Sequence, residues 1–207
     1  MDKSTMHLVL ASASPRRADL LRAAGYAFET LAVDLDERVH EGETPSIYVA
    51  RLAREKAAAA MQRFMQRAQT CGGPDKAAVH DVVVLGADTT VVVDGHILGK
   101  PRDDREGAAM LNMLSGRAHE VLTGVSVRTS SGEWQLVEST SVYMSPLSPQ
   151  DVAWYVASGE GRDKAGGYAV QGLASRFIPR IEGSYSNVVG LPVATVEALL
   201  REAASAR

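Results

Sequence analysis

Between Asp81 and Asp94 the chain reads DVVVLGADTTVVVD. Valine-rich runs flank the tetrad Gly86-Ala87-Asp88-Thr89, a pattern that predicts buried strands meeting at a polar break, because a strand covered on both faces loses the apolar–polar alternation. Asp94 and Gly95 suit the hairpin turn that follows. Upstream, His7 to Ala11 is a short apolar strand that breaks into Ser12-Ala13-Ser14-Pro15. Ser14 suits an N-cap and Pro15 the first helical position, Arg16 to Ala24 has helical periodicity, and Gly25 is a fitting stop. Phe28, Leu31 and Val33 suggest a second strand leading into Asp34, Asp36 and Glu37.

Thr44 and Pro45 open the longest predicted helix, from Ser46 to about Gln66. Arg67 to His80 reads as an inserted loop. Downstream come a helix from Asp103 to Leu114, strands from Ala118 to Arg128 and Glu133 to Met144 joined through Ser130-Ser131-Gly132, and a helix from Ser148 to Ala157 with Asp151 in its first turn. A strand from Phe177 to Ile181 and a helix from Val193 to Ala204 follow. Helices alternate with strands in the first half and hairpins appear in the second, so the expected fold is a mixed sheet within an α/β or α+β class, of which α/β is the one adopted.

The 207 residues, 45% hydrophobic and 23% charged, are an ordinary globular composition that excludes disorder and low-complexity arrays. A formal charge of −3 and 5% aromatic residues argue against nucleic acid as a partner. No apolar run approaches the ~20 residues of a membrane span, and Met1 to Leu10 does not read as a secretory signal. The single cysteine, Cys71, beside Gly72 and Gly73, is expected to be a loop thiol. These features together predict a cytoplasmic protein without a membrane partner.

Ser12, Ser14, Arg16 and Arg17 lie at a strand-to-helix turn, where free N–H groups and arginine forks favour an anion such as phosphate. An exposed helix start with two solvated arginines is the competing reading. Asp88, at the end of a buried strand, suits a metal ligand or a general base, against a turn aspartate bonded to its own backbone. Asp36 and Glu37 offer a second carboxylate or an exposed acidic turn. Lys56 shares a helical face with Val49, Leu52 and Ala53, so it must either snorkel or meet an anion. Lys100, in Gly99-Lys100-Pro101, comes near Asp88 if the strands around Asp94 pair. Otherwise it is a surface lysine. The five histidines show no zinc spacing, and neither GxxxxGK[ST] nor a helix-opening GxGxxG is present.

LASASPRR (Leu10 to Arg17), REK (Arg54 to Lys56), GADT (Gly86 to Thr89), GKP (Gly99 to Pro101), GGYAVQG (Gly166 to Gly172) and GSYSNVVGLP (Gly183 to Pro192) occur in this order. In this the chain resembles the Maf family of nucleoside triphosphate pyrophosphatases. The resemblance implies a Maf/ITPase-like fold, a mixed twisted sheet with flanking helices and two lobes around a central cleft, formed by a single domain over residues 1–207.

It implies hydrolysis between the α and β phosphates with a divalent metal, Mg²⁺ or Mn²⁺. Asp88 corresponds to the proton acceptor, Glu37 and Asp88 to the metal-side carboxylates, and Lys56 and Lys100 to phosphate-side cations. Ser12, Ser14 and Arg17 correspond to substrate-binding positions, and Arg16, Thr89 and Gln171 to base selection. Asp88-Thr89 with Gln171 resembles the branch acting on dTTP and UTP. The implied role is house-cleaning of nucleotide pools, with a link to cell-division arrest, a small-molecule nucleotide as partner and a homodimer as an admissible assembly. The alternatives are the sister branch acting on 7-methyl-GTP and a non-catalytic regulator of septum formation. The loop from Arg67 to His80 is longer than the family pattern leads one to expect.

Overall fold

A computed structural model describes residues 6–70 and 82–206. The elements run β1 (His7–Ala11), α1 (Pro15–Ala23), β2 (Glu29–Thr30), α2 (Pro45–Thr70), β3 (Val82–Val93), β4 (His96–Leu98), α3 (Asp104–Leu114), β5 (Ala118–Arg128), β6 (Glu133–Tyr143), α4 (Pro149–Ala157), β7 (Arg180–Glu182), α5 (Tyr185–Val189) and α6 (Val193–Ser205). The seven-stranded sheet has the order β2-β1-β3-β5-β6-β7, with β4 beside β3. It is mixed, as expected: β1 runs parallel to β2 and β3, while β4 is antiparallel to β3 and β7 to β6.

The valine-rich stretch is one continuous strand, and the predicted break at Gly86-Ala87-Asp88-Thr89 does not occur. Gly86 serves a close approach: a Cβ there would lie 2.1 Å from the Ala53 carbonyl oxygen of α2. Gly124 on β5 does the same under Val49, where a Cβ would meet its carbonyl oxygen at 2.2 Å. Because both obstacles are backbone atoms, no rotamer change could relieve them, and glycine is what lets α2 rest directly on two strands.

Local rules hold at many termini. Ser148 and Asp151 form a reciprocal capping box on α4, and Asp103 caps α3 by accepting from Glu106 N–H. Asp94 and Gly95 both have positive φ, as a two-residue hairpin turn requires. Ser14 occupies the N-cap of α1, yet its side chain makes no capping bond. The second strand shrinks to Glu29–Thr30; soon after Leu31 N–H bonds the Leu10 carbonyl, Arg63 takes the Ala32 carbonyl at 2.9 Å and the chain leaves the ladder. α2 extends to Thr70, absorbing the first residues of the expected loop, and the rest of that loop, with Cys71, lies outside the described residues. Phe177 ends a 3₁₀ turn, so the last strand begins at Arg180, and α5 is a helix that the pattern of the sequence did not indicate.

The chain divides into two compact units, residues 1–88, 124–137 and 193–207 forming one and residues 89–123 and 138–192 the other. In the first, Val9, Ala11, Val82 and Val84 meet Ala57, Ala60, Met61 and Phe64 of α2. In the second, Val91, Val93, Met110, Leu111 and Leu114 meet Tyr155, Tyr168 and Val170.

Candidate active site

Asp88 follows Gly86 by two residues on β3, so both face α2. Lys56 lies three residues after Ala53, the residue that sits over Gly86. The close approach therefore sets the lysine against the carboxylate: Lys56 Nζ is 2.7 Å from Asp88 Oδ1 and 2.6 Å from Glu37 Oε1. Lys56 and Asp88 are 8% and 7% exposed, and the Glu37 side chain is half exposed. Lys56 thus meets an anion, and it meets two. Asp88 sits within a strand, which excludes the turn alternative. Asp36 turns to Arg38, whose hydrogen bonds hold its carboxyl at about 2, and only Glu37 joins the cluster.

The strand-to-helix turn lies in the same unit. Arg17 is buried at 9% exposure, and its Nη1 donates to the Ala87 carbonyl at 2.8 Å and to Ser12 Oγ at 3.2 Å. Ser12 Oγ also accepts from Ser14 N–H at 3.1 Å. Burial lowers the Arg17 pKa while the fields of Asp88 and Glu37 oppose that shift. The arginine thereby fixes the peptide just before Asp88 and adds positive charge beside the two carboxylates. Arg16 is half-buried.

The second unit holds the other expected residues. Thr89 shares its hydroxyl with Thr123 Oγ1 at 2.9 Å and with the Gly190 carbonyl at 3.2 Å. Lys100 is exposed, and the carbonyl of its neighbour Gly99 accepts from Gly166 N–H at 3.0 Å, which joins the GKP stretch to the glycine-rich GGYAVQG stretch. Gln171 is exposed on a turn bracketed by two bonds: Tyr155 Oη accepts from Ala169 N–H at 3.0 Å, and Glu160 accepts from Leu173 N–H at 3.0 Å. Tyr155 donates to the same Glu160 at 2.8 Å. Asn187, in GSYSNVVGLP, is fully buried and donates to the Val121 carbonyl and to Thr140, which gives that stretch a structural function.

Sequence reading missed the residues that hold these segments. Tyr48 and Arg51 grip the segment carrying Glu37, Arg51 through Glu43 of that segment, and Tyr155 and Glu160 grip the turn carrying Gln171. The one available signal was Arg51 three residues after Tyr48 on the helix, a spacing that puts both on neighbouring rows of one face. His119, assigned no function from spacing, is buried with Nε2 2.7 Å from Tyr168 Oη. Among the described residues no three His, Cys, Asp or Glu side chains cluster as a metal cage, and no helix is long and apolar enough to cross a membrane.

Among solved structures, the Staphylococcus aureus Ham1 protein overlays with a TM-score of 0.44 and 14% identity, covering 67% of this chain and 71% of its own. Sequence relatives are nearer. A protein of Anaeromyxobacter sp. (strain Fw109-5) named dTTP/UTP pyrophosphatase is 49% identical over 95% of this chain and 89% of its own length. Proteins of the same name from Methylobacillus flagellatus and Photobacterium profundum are 46% and 44% identical, covering 97% and 96% of this chain and 94% and 97% of their own. The family model described as Maf-like protein matches residues 7–203. Matched from β1 into α6 and aligned with these relatives along nearly its whole length, the chain belongs to the Maf-like protein family.

Proposed function

We propose that this chain is a nucleoside triphosphate pyrophosphatase that converts dTTP and UTP to the monophosphate and pyrophosphate. The observation that carries the reading is the buried Lys56 ammonium shared by Asp88 and Glu37, with Arg17 fixed against the preceding peptide. The activity named for the relatives supports it.

In the reaction a water oxygen bonds to the α phosphorus, the bond from that phosphorus to the α–β bridging oxygen breaks, and pyrophosphate leaves. Asp88 accepts the water proton on a carboxylate oxygen. Lys56 holds Asp88 and Glu37 in register and, with Lys100, offsets phosphate charge. Ser12, Ser14, Arg16 and Arg17 bind the nucleotide through hydroxyls and guanidinium forks. Gln171, with Arg16 and Thr89, selects the base, since a side-chain amide can both donate to a 4-keto oxygen and accept from N3–H, a pattern that cytosine inverts.

A hard divalent cation fits this donor set. Two carboxylates that already share one cation carry a residual negative charge, and Mg²⁺ or Mn²⁺ commonly takes one or two carboxylates, completing its shell with phosphate and water. Glu37 and Asp88 would hold it, and when bound it supplies charge neutralisation and polarisation of phosphate oxygens. Residues 1–207 act in this reading as one functional domain, on cytoplasmic nucleotide pools, with no need for nucleic acid or a membrane.

The test is pyrophosphate release from dTTP, UTP, CTP and 7-methyl-GTP with Mg²⁺ or Mn²⁺. Faster turnover of dTTP and UTP is expected. Preference for 7-methyl-GTP moves the chain to the sister branch, and no release from any triphosphate overturns the reading.

A further inference from the structure

Glu37 lies on a stretch, residues 34–44, without helix or strand and largely exposed, so core packing cannot fix it. Yet its carboxylate reaches a buried ammonium. The restraint comes from α2. Tyr48 Oη donates to the Glu37 carbonyl at 3.0 Å, and Arg51 Nη2 donates to the Arg38 carbonyl at 3.1 Å. The Arg51 fork also closes on Glu43, with Nε 2.6 Å from Oε1 and Nη2 2.8 Å from Oε2. Both side chains of that pair are largely buried, Arg51 at 10% and Glu43 at 4% exposure. Glu43 in turn accepts from His40 N–H at 3.0 Å, which closes the loop on itself.

Tyr48 and Lys56 are eight residues apart, hence two turns apart on one side of α2. One takes the main-chain oxygen of Glu37 and the other its carboxylate. We propose that Tyr48 and Arg51 are positioning residues for the reaction, holding Glu37 at the Lys56–Asp88 pair. This rests on the reading of Glu37 as a member of the reacting cluster. A bidentate arginine suits the task because its planar fork fixes angle as well as distance, which lysine cannot do. The Arg51 bonds keep the Glu43 carboxyl at about 2, so the clamp stays charged at neutral pH.

The experiment is a double-mutant cycle on the full chain, with kcat and KM for UTP measured for Tyr48→Phe, Arg51→Met and Arg51→Lys, each alone and combined with Glu37→Gln. Tyr48→Phe should lower kcat about fivefold, the worth of one ordinary hydrogen bond, and Arg51→Met about tenfold or more, with KM changed less than about twofold. Arg51→Lys should recover part of that loss. Combined with Glu37→Gln, none of the three should cost anything further. Amide exchange over residues 34–44 should rise in Tyr48→Phe with the melting temperature unchanged.

Equal losses of kcat in both backgrounds would make the clamp a matter of general stability and overturn the proposal. So would an unchanged kcat in Tyr48→Phe and Arg51→Met while Glu37→Gln is impaired. A Glu37→Gln protein with full activity removes instead the reading of Glu37 itself, and the proposal with it.

Discussion

The segment that carries Glu37 and the turn that carries Gln171 are both irregular, and each is held by a neighbouring helix through different chemistry. In the first, Arg51 of α2 closes a charged fork on Glu43 and reaches the Arg38 carbonyl, while Tyr48 takes the Glu37 carbonyl. In the second, Tyr155 of α4 relays between Ala169 N–H and the Glu160 carboxylate, which also takes Leu173 N–H. A charged fork sets direction and suits a carboxylate that must meet a lysine at a fixed distance. The phenol relay holds the main chain and leaves the Gln171 side chain exposed. In the proposed reaction Asp88, Glu37 and Lys56 would set the rate and Gln171 would contribute to base selection, a division of labour that substitutions can break.

The largest effects belong to the carboxylate cluster. Asp88→Asn removes charge at nearly constant volume and should cut kcat by about 10³-fold or more for dTTP and UTP alike, with a melting curve close to the parent. Lys56→Met should be as inactive and in addition less stable by about 3 kcal/mol, because it strands Asp88 in its buried position. Steady-state rates beside thermal melts check both. A UTP to CTP ratio that shifts along with the rate would break the division.

Gln171→Leu should leave kcat for UTP within a few-fold and lower the UTP to CTP ratio of kcat/KM by about tenfold, given ~1 to 3 kcal/mol for an unpaired polar group. Tyr155→Phe sharpens the comparison. It frees the Ala169 N–H and loosens the turn, so the ratio should fall about threefold while Gln171 remains in place. If the ratio holds in both variants, selection lies with Thr89 or Arg16.

An effect on stability and not on rate concerns His119, whose burial lowers its pKa to about 4 from 6.5. The unfolded chain binds the extra proton between those values and the folded chain does not, so stability is fully present above about 6.5 and is lost as pH falls toward about 4. At pH 5 this single group accounts for about 2 kcal/mol. His119→Gln should flatten the fall in melting temperature between pH 7 and pH 5, and an equally steep fall would assign the acid sensitivity to other groups.

The sequence by itself determined what depends on near neighbours. The strand at His7–Ala11, the capping box of Ser148 and Asp151 and the Asp94-Gly95 turn follow from periodicity and short-range hydrogen bonding, and the structure keeps them. The tertiary structure decided what lies across space. A glycine followed by a polar residue reads locally as a break, and only the Ala53 carbonyl lying over Gly86 makes it a place where strand and helix touch. Periodicity puts Lys56 on the apolar stripe of α2 but is silent about what faces it. Its partner Asp88 lies 32 residues away and is brought there by the approach of α2 to β3, while Glu37 arrives on a segment held by Tyr48 and Arg51. Side-chain patterns encode the face a helix turns inward, whereas the charge it meets depends on long-range packing that no local window contains.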